Sequence, residues 1–154
     1  MKMLRILDNF AKSIGDLIPE FILNVAARIS VFMIFWLSAQ TKIGGATFLG
    51  QKFAFWDISQ STFLLFEYDY DLPIIPAELA AYTATFAEFF VSLLILFGLI
   101  TRFSALVFIV MTLIIQFFVY PGALATHFLW MIPLVYLIKN GGGKLSLDRF
   151  LSRG

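Results

Sequence analysis

The chain has 154 residues, of which 60% are hydrophobic and only 14% charged, with a net charge of +1 and a mean hydropathy of +0.90. Soluble domains are typically about 45–50% apolar and about 25% charged, so this composition points to an integral membrane protein and gives no reason to expect nucleic-acid binding. With no cysteine and one histidine, disulfides, thiolate metal sites, Fe–S ligation and a bis-His haem within one chain are excluded.

The first 20 residues mix charges with apolar residues and lack the uninterrupted apolar stretch of a signal peptide. Met3, Leu4, Leu7, Phe10, Ala11, Ile14, Leu17 and Ile18 recur at helical spacing, opposite Lys2, Arg5, Asp8, Lys12 and Asp16. This pattern predicts an amphipathic helix over 1–20, either lying in the membrane interface or packed on the bundle as a solvated helix.

Four stretches approach the roughly 17–25 apolar residues that a spanning helix needs: 21–41, 76–99, 102–119 and 123–139. The second is entered through Pro76, which suits a first helical turn, with Glu78 where the helix dipole favours an anion. The fourth contains Pro133, whose freed carbonyl a bundle can re-satisfy. The short turns "GLITR" and "VYPGA" make spans two, three and four antiparallel neighbours. The expected fold is an all-α integral membrane four-helix bundle with an outer loop over 42–75 and a tail over 141–154.

Lys2, Arg5, Lys12, Arg102, Lys139, Lys144, Arg149 and Arg153 fall on one side of such a bundle, against Lys42 and Lys52 on the other. The positive-inside rule then makes both termini cytoplasmic. In a bacterium the membrane would be the inner one and the loop would face the periplasm. In the tail, Gly141–Gly143 ends the last helix, and Ser146 is placed to cap a short piece after it.

Arg28 lies well inside the first span, at a cost of about 2.5–3.5 kcal/mol for an isolated charge. Glu88 is the one acid deep within another span. Counted from the inner helix ends, Arg28 lies roughly 10 Å deep and Glu88 roughly 15 Å, so an intramembrane Arg28–Glu88 ion pair is expected. It would either fix helix register or serve function.

Lys42 marks the outer end of the stripe that Arg28 begins, where a snorkelling lysine is the plain alternative. Gln116 and His127 share its depth. With Trp130 they could line one outer polar pocket, with Phe35, Trp36 and Met131 as apolar walls. Such a pocket would suit a quinone, its carbonyl oxygens bonded by His127 and Gln116; the competing reading is a structural histidine. Met33, Met111, Met131 and His127 are the only soft or borderline ligands within the membrane, and their spacing is unordered, so no metal site is expected.

In the outer loop, "FEYDYDLP" alternates Glu67, Asp69 and Asp71 with Tyr68 and Tyr70. If extended, the acids share one side and form a rim for a cation or basic partner, or merely a solvated edge. The aromatic residues of the loop predict that it lies on the bilayer or caps the outer pocket. "GGGK" lacks the strand, spacing and Ser/Thr of a phosphate-binding loop.

Taken in order, Arg28 followed by "FWLSAQTK", then "AELAAYTATFAEFF", "LILFGLITRFSAL", "HFLW" and "GGGKLSLD" resemble the DoxX family of small four-helix membrane proteins, over about 25–150. The "LFEYDYDLPIIP" and "QFFVYPGALATHFLW" runs resemble a subgroup often encoded beside multinuclear iron oxygenase-type enzymes that modify small metal-binding peptides. Gly142 stands where many relatives have proline. The family takes its name from a subunit associated with quinol oxidase and thiosulfate:quinone oxidoreduction, and other members accompany redox or metal-stress systems.

The resemblance thus implies a membrane subunit of such a system, interacting with quinone or anchoring a membrane or periplasmic redox partner. It transfers no catalytic set. A scaffold without chemistry of its own, or a small-solute or metal transporter working as a homo-oligomer, are the alternatives. A self-contained enzyme is not expected.

Overall fold

The computed structural model describes residues 1–152. Its first helix, α1 (Lys2–Asp16), buries none of its residues. Pro19, in an extended conformation, separates it from the first span, Glu20–Lys42. Three further apolar helices follow, Ala77–Phe97, Thr101–Val119 and Pro121–Asn140, each long enough to cross a bilayer. The fold is an all-α membrane bundle, and the four spans fall within a residue or two of their expected positions.

The first span is the axis of the bundle. Its Val31 and Phe35 are fully or almost fully buried among Ile95, Ala105, Phe108, Leu134 and Leu137 from the other three spans. The Phe35 and Phe108 rings stack with centroids 3.7 Å apart. Outward-facing residues such as Leu37 and Phe128 are exposed. In lipid such faces need no cover, and close packing rather than water exclusion holds the spans together.

Spans three and four pack along their lengths, and span two packs on span one. Span two meets span three chiefly through Ser92–Phe97, toward the end that bears the tail. At the opposite, loop-bearing end the two helices part. That parting creates the site described below.

The loop after Lys42 is ordered. Thr47–Phe48 and Gln51–Lys52 form a two-residue antiparallel hairpin turned through Leu49 and Gly50, both at positive φ. Gln40 in the first span holds it, accepting from Lys52 N at 2.6 Å, and Trp36 Nε1 donates to Gln51 Oε1 at 2.6 Å. The Lys42 carbonyl accepts from Ser59 N and from Thr62 Oγ1. A helix over Gln60–Leu64 then continues as a π-helical turn, Leu65–Tyr70. "FEYDY" is therefore helical rather than extended, and Asp71 ends the helix at positive φ. Glu67, Asp69 and Asp71 are exposed but do not form the one-sided row that an extended strand would give.

Candidate functional site

Between the parted ends of spans two and three lies a cavity of about 470 Å³, within the size range of small-molecule sites. Span two contributes Leu79, Ala80, Thr83 and Ala84; span three contributes Val107, Val110, Met111 and Ile114. Phe35 and Trp130 come from spans one and four, while Phe66, Tyr70, Leu72 and Ile75 of the loop reach over it. The loop thus caps the cavity.

Polar groups are few, and the charged ones are clustered. Lys42 Nζ lies 2.8 Å from Glu88 Oε2 and 3.1 Å from Oε1. It also donates to Ser38 Oγ at 2.7 Å, and Ser38 Oγ in turn donates to Glu88 Oε1 at 2.9 Å. Lys42 and Glu88 are 6% and 3% exposed, and both line the cavity along with Ser38. A buried carboxylate and ammonium are tolerable only when paired and hydrogen-bonded in this way.

Three π-helical turns meet at this cavity: Leu65–Tyr70, Ala87–Val91 and Ile115–Val119. The first and last are closed by Asp71 N to Phe66 O and Tyr120 N to Ile115 O. Each supplies lining residues, Phe66 and Tyr70, Ala87 and Glu88, Ile115 and Val119. Such turns are rare and recur at functional sites, where the extra residue re-aims side chains. Glu88 itself is delivered by one.

Tyr70 sits at the loop end of the cavity, edge-on to Tyr120 with ring centroids 5.7 Å apart. Burial pushes its phenol well above the usual tyrosine range, and the Tyr120 hydroxyl beside it pushes the same way, as do the charges of Glu88 and Asp69. The cavity lining therefore holds both a phenol and an ion pair.

The expected Arg28–Glu88 pair is not formed; Glu88 takes Lys42 instead. The reason is the stagger of the helices. Gly98, at the end of span two, packs directly against Arg28 Nη1. Arg28 is thus level with the end of span two, not with its middle. Ser38 follows Arg28 by ten residues and Glu88 precedes Gly98 by ten, about 15 Å of helix in each case. The two meet, and the Lys42 side chain folds back one turn to join them.

Arg28 belongs to a second polar cluster, at the tail end. Its Nη2 donates to Leu145 O at 2.8 Å. Asp148 accepts from Ile100 N, Thr101 N and Thr101 Oγ1 at 2.6–2.9 Å, satisfying the start of span three. Ser146 caps the last short helix, Leu147–Leu151, by accepting from Arg149 N. The closing "GGGKLSLD" thus sews the tail to the turn between spans two and three. Gly142 and Gly143 allow this because a side chain at either would collide with Thr101, Ser146 or Asn24.

Lys42, Gln116, His127 and Trp130 do not share one pocket. His127 Nδ1 and Gln116 Oε1 are 2.6 Å apart, and Gln116 Nε2 donates to Pro121 O at 2.8 Å. That pair ties the turn between spans three and four and lies outside the cavity lining. Trp130 links the two regions: it packs edge-on to His127 and lines the cavity. Among the described residues, no group of three His, Cys, Asp or Glu is placed to hold a metal ion.

Sequence reasoning did not identify Ser38, Tyr70 and Tyr120 as parts of one site. Ser38 had a signal, since it lies one helical turn before Lys42. The π-helical turns had none that hydropathy could register.

A family model, DoxX, matches residues 23–121, which takes in the first span, the loop, span two and span three. No curated protein and no solved structure matches the chain.

Proposed function

The chain belongs to the DoxX family, and from that premise we propose that it is a membrane subunit of a redox or metal-stress system which binds a quinone-class ring between its spans. The observation that carries this reading is the Lys42–Glu88 pair set into the wall of a mostly apolar cavity.

A quinone offers a flat ring, two carbonyl acceptors and an apolar tail. Phe35, Phe66 and Trp130 suit the ring. Lys42 suits one carbonyl: of its donor contacts, that to Ser38 O is long at 3.4 Å, so a ligand oxygen can accept a hydrogen bond in its place without breaking the pair. The protonated Tyr70 phenol suits the other carbonyl. The gap between Leu79–Ala84 and Val107–Ile114 gives a tail a path toward lipid.

When bound, a quinone supplies reversible two-electron, two-proton chemistry. The chain's own part is to orient the ring, exclude water, and hold the ammonium and phenol donors and the carboxylate acceptor near where ring oxygens would gain or lose protons. Electrons would pass to or from a partner protein anchored at the membrane. The basic side chains at the tail end, Arg102, Lys139, Lys144 and Arg149, support cytoplasmic termini and a periplasmic loop in a bacterial inner membrane. The apolar face of α1, unpartnered within the chain, would rest on the bilayer surface.

The test is extraction in a mild detergent, followed by mass spectrometry of bound quinones and proteins. Stoichiometric quinone, lost in Ala84→Phe, supports the reading. A chain free of quinone and partner would overturn it in favour of a scaffold.

A further inference from the structure

At the tail end, a second and larger concavity of about 670 Å³ opens between the starts of spans one and three, the end of span four and the tail. Its charged lining is Arg102, Lys144 and Arg149 on one hand and Glu20 and Asp148 on the other. The Asp148 carboxylate is solvated by three neutral donors at the start of span three, and the lining keeps three cations against two anions. Arg102 spends one guanidinium nitrogen on Ile138 O, at 2.9 Å. Lys144 and Arg149 are exposed. The wall that faces lipid is apolar, with Phe21 and Phe103 both exposed.

The floor carries an unusual feature. Asn24 is 3% exposed. Its Nδ2 donates to Glu20 O at 3.1 Å, which fixes the amide orientation. The opposite atom, Oδ1, is buried and has no partner. A buried acceptor left unsatisfied is costly, and Asn24 lines the groove, so a donor entering there would satisfy it.

A groove with a basic rim, an apolar lipid-facing wall and one waiting acceptor matches a particular chemistry. Basic pockets between membrane helices hold anionic lipid headgroups. We propose that this groove binds an anionic glycerophospholipid whose headgroup carries hydroxyls. Its phosphate lies among Arg102, Lys144 and Arg149, a headgroup hydroxyl donates to Asn24 Oδ1, and an acyl chain runs along Phe21 and Phe103. The site is at the opposite end of the bundle from the cavity and is independent of what that cavity binds.

The experiment is native mass spectrometry of the full chain in nonionic detergent, titrated with dioleoyl phosphatidylglycerol, phosphatidylcholine or phosphatidic acid. The expected result is one phosphatidylglycerol per chain, retained at roughly tenfold lower concentration than phosphatidylcholine. Lys144→Gln/Arg149→Gln, which touches only exposed side chains, weakens retention by about fivefold per charge. Asn24→Leu weakens phosphatidylglycerol but not phosphatidic acid, which has no headgroup hydroxyl to donate. Equal retention of phosphatidylglycerol and phosphatidylcholine would overturn the proposal, as would a preference that survives the double substitution. Displacement of the lipid by free glycerol 1-phosphate would overturn it in favour of a soluble phosphoester.

Discussion

Lys42 Nζ stands 2.8 Å from Glu88 Oε2, with Ser38 bonded to both, and the three side chains bind the loop end of span one to the middle of span two. Each charge is tolerable only because the other is there. Removing one partner of a buried pair costs about 3–5 kcal/mol, whereas replacing both by apolar residues is often neutral. Lys42→Met should therefore lower the melting temperature of the purified protein sharply, and Lys42→Met/Glu88→Leu should restore most of the loss. The check is thermal unfolding followed by intrinsic tryptophan fluorescence. The double variant is expected to be stable yet unable to retain quinone, which separates the structural from the ligand-binding role of the pair.

Gly98 is the counterpart of that pair at the tail end. It ends span two at φ +68°, and any β-carbon there would run into Arg28 and Ser146. A left-handed conformation costs an L-residue about 1–2 kcal/mol before any clash is counted. Gly98→Ala should destabilise by more than that. It should also speed hydrogen exchange at Ile100 and Thr101, whose amides Asp148 protects. Unchanged exchange at those two amides would contradict the described stitching of the tail.

Tyr70 gives the structure a pH dependence of known sign. Its phenol stays protonated in the folded chain above the pH at which an unfolded tyrosine ionises, about 10. The folded state then binds more protons than the unfolded, so this contribution is complete below about pH 10 and is lost as pH rises further. Tyr70→Phe should flatten the alkaline fall in melting temperature. An identical fall in wild type and variant would show that Tyr70 is not the group responsible.

Hydropathy made the four spans legible, because a bilayer selects for length and apolarity and little else. It also singled out Arg28, Lys42 and Glu88, since buried charge is rare enough to stand out. What it could not give was the pairing. Counting depth from helix ends assumes that all spans start in one plane, and the first span starts well below the end of the second. The tail that meets Arg28 is more than 100 residues away in sequence, so no local pattern joins them. The alternation in "FEYDYD" would put the acids on one side only if the chain were extended, and the chain there continues a helix with a π-helical turn, which turns Tyr70 inward and leaves Tyr68 exposed. His127 and Gln116 were rightly seen as close in depth, and they bond to each other rather than to a ligand cavity.

The central claim is that the cavity beside Lys42 and Glu88 takes a quinone-class ring. The direct measurement is a titration of the protein in lipid nanodiscs with a short-chain benzoquinone, read by quenching of Trp130, with the other two tryptophans replaced by phenylalanine. The account predicts saturable quenching in this background and a loss of at least roughly tenfold in affinity, about 1.4 kcal/mol, in Ala84→Phe. Ala84 lines the cavity, and a ring there would occupy the space a ligand needs. Quenching that rises linearly with quinone, and is the same with Ala84→Phe, would contradict the claim.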